Sequence, residues 1–147
     1  MIWKPNVTVA AVIEHGGKFL LIEEETSQGL RYNQPAGHLE AHESLIAAVV
    51  RETLEESAYH FTPQHLLGIY RWHSSESDTI YLRFAFTGKI TAHEAGRKLD
   101  NGIMQTLWLS PRTNPCHPSA PPQPADIALR GRSHCRKALS PRSVSPL

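Results

Sequence analysis

Glu52, Glu55 and Glu56 are the residues in this sequence whose type and spacing first suggest chemistry. On a helix they stand at i, i+3 and i+4, and so share one face. Like charges at that spacing repel by about 0.2–0.5 kcal/mol per pair, so crowding them together needs a reason. The face they form abuts an apolar arc of the same helix, which puts three carboxylates at the edge of a core and in want of a counterion. A hard divalent cation with oxygen ligands fits, and magnesium is typically held by a few carboxylates together with phosphate oxygens of a substrate. By themselves the three glutamates also describe the wet face of an amphipathic helix, with Arg51 as a local partner. The wider pattern decides between the two. Gly37, Glu43, Arg51, Glu52, Glu55 and Glu56 spell G-x5-E-x7-R-E-x2-E-E. Six fixed positions of this kind arise by chance on the order of once in a hundred thousand chains of this length.

The elements that must position these residues can be read from periodicity. A helix is expected over 44–57, with Ser44 or Glu43 near its start and Leu45, Ile46, Val49, Val50 and Thr53 on one arc. Before it, the β-branched and apolar run 7–13 predicts a strand buried on both faces. His15-Gly16-Gly17-Lys18 predicts a turn and 19–22 a returning strand, so the chain opens with a hairpin. The polar stretch 26–33 reads as a loop, and Pro35-Ala36-Gly37 as an interruption. After the helix, Thr62-Pro63 closes the region, and strands are expected over 66–72, 79–87 and 104–109. In 79–87, Ile80, Leu82, Phe84 and Phe86 point one way, and Tyr81, Arg83 and Ala85 the other. Strands on both sides of one central helix, with no regular βαβ repeat, suggest a mixed α/β or α+β sandwich, taken here as α+β with a mixed β-sheet.

Composition bounds the rest. The 147 residues suffice for one domain with a real core. From Pro111 onward there are six basic residues and one acidic one, whereas 1–110 holds nine basic and thirteen acidic. A mildly acidic body gives no reason to expect nucleic acid as a partner. No apolar run approaches the ~18 residues of a membrane span, and nothing resembles a signal peptide, so a cytoplasmic location is expected. Residues 111–147 carry eight of the eleven prolines and no aromatic residue, the composition of a disordered tail following a domain over 1–110. Cys116 and Cys135 lie in that tail without zinc-ligand spacing.

The segment from Gly37 to Glu56 resembles the signature of the Nudix hydrolases, and the resemblance extends over the strands up to about Pro111. It implies an α/β/α sandwich whose loop–helix–loop binds Mg²⁺ or Mn²⁺, and a substrate in which a nucleoside diphosphate is joined to another group. By position, Glu52, Glu55 and Glu56 match the metal ligands, often joined by the Gly37 carbonyl. Arg51 and Glu43 match the pair that fixes the loop and orients the glutamates. Asn33-Gln34-Pro35-Ala36-Gly37-His38-Leu39-Glu40 and Tyr81-Leu82-Arg83-Phe84 are most similar to the family's small bacterial phosphatases. Those act on nucleoside tri- and diphosphates and on hydroxymethylpyrimidine diphosphate. The implied activity is a Mg²⁺-dependent pyrophosphohydrolase or phosphatase acting on a phosphoric anhydride, in a monomer or homodimer. Water would attack phosphorus in line, with Glu55 or Glu56 taking its proton, or alternatively a carboxylate from a later loop, Asp100, Asp78 or Glu76.

Three positions depart from the signature. Thr53 stands where a larger apolar residue is usual, Ala58 replaces the glycine that ends the helix at positive φ, and Ala36 replaces a common glycine. Members of the family usually continue past Trp108-Leu109-Ser110-Pro111 into a C-terminal helix; a reading-frame shift near codon 111 would produce the run of Pro, Arg, Ser, His and Cys found here, and a natural low-complexity tail is the other reading. Arg83, beside Tyr81, could clamp a phosphate, and Trp72, near a loop, is the best placed of the aromatic residues to stack on a substrate ring. His38 and His42 lie in the metal loop, but hard magnesium prefers oxygen. Two rivals remain. A non-catalytic Nudix-fold ligand-binding or regulatory domain would commonly have lost a glutamate, and this chain keeps all of them. An isoprenyl diphosphate isomerase would need a pocket cysteine, and none precedes residue 116.

Overall fold

The computed structural model describes residues 2–26, 29–74 and 77–110. The expected tail over 111–147, its two cysteines and the frame-shift reading all lie outside the described residues. In chain order the elements are β1 (Asn6–Val12), β2 (Glu14–His15), β3 (Lys18–Thr26), β4 (Gly29–Asn33), β5 (Ala36–His38), α1 (Leu45–Ser57), β6 (Tyr59–Ser74), β7 (Thr79–His93) and β8 (Ile103–Leu109). They form two four-stranded sheets. One has the order β5-β1-β7-β6, and in the other β3 pairs with β2, β4 and β8. The first sheet is mixed, since β1 runs parallel to β7 and antiparallel to β5. The α+β class with a mixed sheet is therefore the observed one. The described residues contain one helix, α1, and the second helical layer of the implied sandwich is not among them. No helix among the described residues is long and apolar enough to cross a membrane.

β1 takes the centre of the mixed sheet because its run of small and β-branched side chains can be covered on both faces, and residues 8–13 are all buried. This corrects the expected opening hairpin. The strand after β1 joins the other sheet, and only the two-residue β2 folds back on β3, through the positive-φ pair Gly16 and Gly17. The core forms where the sheets and helix meet. Val9, Ala11 and Ile13 pack with Leu20, with Ala48 and Val49 of α1, and with Phe61 and Phe86.

The strands run further than the sequence signals. The expected loop over 26–33 contains β4, an edge strand whose pairing with β3 carries the Tyr32–Glu23 and Asn33–Glu24 hydrogen bonds. The 35–37 interruption leads into β5. β6 starts at Tyr59 and passes through Pro63, which a sheet tolerates here because β6 is an edge strand with register shifts around 63–65. β7 continues to His93 instead of ending at residue 87.

The helix begins as expected. Ser44 caps it with an extended backbone, and its Oγ accepts the Ala47 N–H at 3.1 Å. The buried face is Ala48, Val49, Glu52, Thr53 and Ser57. It is rotated from the expected arc toward Glu52, leaving Ile46 49% exposed. Thr53 is fully buried, and its hydroxyl donates to the Val49 carbonyl at 2.7 Å, so the polar substitution is satisfied within the helix. Ala58 ends the helix at φ 59°, its N–H donating to the Leu54 carbonyl at 2.9 Å. A left-handed alanine is strained, while a glycine there would give up a buried methyl. The net expectation for Ala58→Gly is a gain of about 0.5–1 kcal/mol, seen as a higher urea midpoint; an unchanged or lower midpoint would show that the methyl's packing outweighs the strain.

Candidate metal and phosphate site

Arg51 is the hub of the site. Its Nε and Nη2 grip both oxygens of Glu43 at 2.9 and 3.0 Å, a bidentate fork that ties the loop before the helix to the helix itself. Nη1 donates to Glu52 Oε1 and to Glu55 Oε2, both at 2.9 Å, and Nη2 also reaches the His38 carbonyl at 3.1 Å. Glu43 in addition accepts the Glu40 N–H at 3.2 Å. One guanidinium thus sets the direction of two of the three helix glutamates and, through the His38 carbonyl, pins β5, the strand that carries Gly37. The Arg51 hydrogen bonds hold the Glu43 carboxyl below the usual carboxylate range, and Glu43 in turn raises the guanidinium's pKa above its ordinary value.

Arg51 does not neutralise the cluster. Glu52 is only 8% exposed, and burial pushes its carboxyl up despite the adjacent guanidinium. Glu56 is pushed up to about 8, first by burial and then by the charges of Glu52, Glu24 and Asp100, against the pull of the Ala36 N–H, which donates to Oε2 at 2.8 Å. A Cβ added at Gly37 would overlap the Glu52 carboxylate, so only glycine lets the β5 backbone lie this close to it. Among the described residues no three His, Cys, Asp or Glu side chains form a ready-made ion cage. The hydrogen bonds give the reason: Arg51 Nη1 holds an oxygen of Glu52 and of Glu55, and Glu56 Oε2 is turned to Ala36. An oxygen-only donor set with a surplus of buried negative charge, beside closely approaching backbone, fits a hard divalent cation.

The mixed sheet supplies a wall beside this cluster. Its register sets Thr8 between His38 and Arg83, and sets Tyr81 between Asn6 and Trp72. Arg83 Nε donates to Thr8 Oγ1 at 3.3 Å, and the guanidinium carbon lies 4.7 Å from the centre of the Trp72 ring. Tyr81 stacks on Trp72 at 4.6 Å with 10° between planes, and its other neighbour is His38 at 6.2 Å. Burial pushes the Arg83 pKa down to about 10, opposed by the charges of Glu56 and Glu24. The three expected substrate residues therefore stand together, and Arg83 lies within the electrostatic reach of Glu56 and Glu24.

The candidate bases separate. Asp100 is tied to the helix by its N–H, which donates to the Glu55 carbonyl at 3.1 Å, and its charge acts on Glu52 and Glu56. Asp78 sits in the β6–β7 turn at φ 47°, with its carboxylate 94% exposed and bonded to His73 Nε2 at 2.7 Å, which is the setting of a turn residue. Glu76 lies outside the described residues. Sequence reasoning missed Glu24, on β3, whose carboxyl takes a hydrogen bond from Asn33 Nδ2 and whose charge acts on both Glu56 and Arg83. It also missed Thr8. The one available signal was a hydroxyl within an otherwise apolar strand.

A helix-borne carboxylate cluster, a forked arginine and Gly37 set close against Glu52 are the arrangement of a hydrolase of phosphoric anhydrides, and the family model described as NUDIX domain matches residues 3–126. The chain belongs to the Nudix hydrolase family. It is 39% identical over 108 residues to phosphatase NudJ of Escherichia coli K12, covering 74% of this chain and 70% of that one. Among solved structures, a Nudix hydrolase from Nitrosomonas europaea superposes with a TM-score of 0.71 at 51% identity over 73% of each chain. The MutT protein of Methanosarcina mazei Go1 gives 0.62 at 25% identity, over 76% of this chain and 82% of the other.

Proposed function

We propose that the chain is a Mg²⁺-dependent pyrophosphohydrolase or phosphatase acting on nucleoside di- or triphosphates or on a small pyrimidine diphosphate, with Mn²⁺ as an alternative ion. The observation that carries this reading is the Arg51-ordered set of Glu52, Glu55 and Glu56 beside Gly37, with Glu56 left at the edge of the core without a cationic partner of its own in the hub. Glu52, Glu55, Glu56 and the Gly37 carbonyl would hold the ion. Such an ion would neutralise phosphate oxygens and lower the pKa of the attacking water. Glu43 and Arg51 orient the ligands, Glu55 or Glu56 accepts the water's proton, and Arg83 clamps a phosphate. The His38 and Tyr81 rings, with centroids 6.2 Å apart, offer a surface against which a flat heteroaromatic group of the substrate would lie. The catalytic unit is taken as residues 1–110, with 111–147 a separate tail, in a cytoplasmic enzyme whose partner is its small phosphorylated substrate.

The test is a phosphate- and pyrophosphate-release screen over nucleoside di- and triphosphates and hydroxymethylpyrimidine diphosphate. Turnover of at least one of them with Mg²⁺, abolished by chelator and restored by added Mg²⁺, is expected. Release that persists in excess chelator would refute the metal dependence, and no release from any ring-bearing diphosphate would refute the substrate class.

A further inference from the structure

Trp72 has the flat, partly buried ring that a substrate base could stack on, but that ring is already engaged by Tyr81 and by the Arg83 guanidinium. We propose that Trp72 and Thr8 are positioning residues for Arg83, aiming its guanidinium at the substrate's phosphates, and that Trp72 does not itself stack on the substrate ring. This rests on the reading above in which Arg83 meets a phosphate.

Three adjacent strands build the device. Arg83 on β7 lies between β1, whose Thr8 hydroxyl accepts from Nε, and β6, whose Trp72 indole receives the guanidinium. Thr8 is 3% exposed, so its hydroxyl is a fixed acceptor with little competition from water. One contact fixes the root of the guanidinium and the other its plane, and an arginine ordered in this way before binding loses less entropy when it meets an anion. Both of these contacts are with neutral groups, so each directs the guanidinium through geometry. Arg83 lies close enough to Glu56 and Glu24 for their charges to act on it, so a diphosphate held beside Glu56 would come within its field.

Inorganic pyrophosphate is the discriminating probe, because it has phosphates and no ring. Its binding to the full-length chain is measured by calorimetry with Mg²⁺ present, alongside melting curves for every variant. Arg83→Ala and Trp72→Ala should each weaken pyrophosphate binding about tenfold, while Trp72→Phe, which keeps an aromatic face, recovers most of the loss. The double variant Trp72→Ala, Arg83→Ala should bind no more weakly than Arg83→Ala alone. Thr8→Val should cost about threefold and Thr8→Ser nothing, which keeps the test open if Trp72→Ala folds poorly. A Trp72→Ala protein that binds pyrophosphate normally but loses affinity for a nucleotide would overturn the proposal and make Trp72 a stacking plate. Losses that multiply in the double variant would overturn it as well. Undisturbed pyrophosphate binding in Arg83→Ala would remove the phosphate clamp and the proposal with it. Coupled losses in a chain that turns over no nucleotide would uphold the proposal and refute the substrate class alone.

Discussion

Glu56→Gln should lower turnover by about 10³-fold with the fold intact, and Glu55→Gln should do nearly as much. Either change removes a charged oxygen from the set proposed to hold the ion, and with it a possible acceptor for the proton of the attacking water. The amide at position 56 can still accept the Ala36 N–H through its carbonyl oxygen, which is why no unfolding is expected. In metal-free protein Glu56→Gln should even stabilise. The carboxyl's pKa rises from 4.5 to about 8 on folding, because burial and the charges of Glu52, Glu24 and Asp100 oppose ionisation. A carboxyl that is harder to ionise in the folded state binds its proton more tightly there. Its contribution to stability is full below about 4.5 and is lost as pH rises to about 8. Metal-free wild-type protein should therefore melt at progressively lower temperature across that window, and the Gln variant should show a smaller decline. Parallel melting curves for the two, or near-normal turnover in both glutamine variants, would contradict the roles assigned here.

Arg51→Ala should be the most damaging single change to stability. It deletes the fork on Glu43, the shared donor of Glu52 and Glu55 and the tie to the His38 carbonyl, leaving three carboxylates to repel one another. Breaking a buried ion pair by removing one partner costs about 3–5 kcal/mol. The Arg51 side chain is 24% exposed, so water recovers part of that, and a loss of about 2–4 kcal/mol in chemical denaturation is expected. Activity should fall by at least about 10–100-fold, the usual effect of losing a group that orients metal ligands. Arg51→Lys should rescue little, because an ammonium cannot reproduce the planar fork. A lysine variant with wild-type stability and rate would mean that charge alone, and not geometry, is what position 51 supplies.

How much could be read in advance follows from where each signal lies along the chain. The helix was legible because its information is local: Ser44 at the cap, apolar residues at helical spacing, and carboxylates at i, i+3 and i+4. Ala58 was legible as a strained helix end for the same reason, and its φ of 59° bears that out. The burial of Glu52 was not, since the helix's rotation is decided by what β1, β5 and β6 present to it. β5 and the first half of β6 were missed because pairing with distant strands holds them in place, β4 because the polar residues of its local hairpin with β3 read as a loop, and Pro63 was read as a stop without knowing that β6 is an edge. Tyr81 and Arg83 were placed on one face by simple alternation. That Trp72 and Thr8 hold Arg83 depends on a register linking residues 72, 81, 83 and 8, which no local pattern encodes. Glu24 sits in a run of three glutamates that reads as a solvated strand edge, and only the fold brings it toward Glu56 and Arg83.

Calorimetric titration of Mn²⁺ and of Mg²⁺ into the full-length wild-type chain, repeated with Glu56→Gln, tests the cation site most directly. The wild type should take up at least one ion per chain, with affinity that increases when pyrophosphate is added and drops sharply in the variant. No heat of binding to the wild type in the presence of pyrophosphate, or equal uptake by the two proteins, would mean that the glutamates of α1 do not hold a cation.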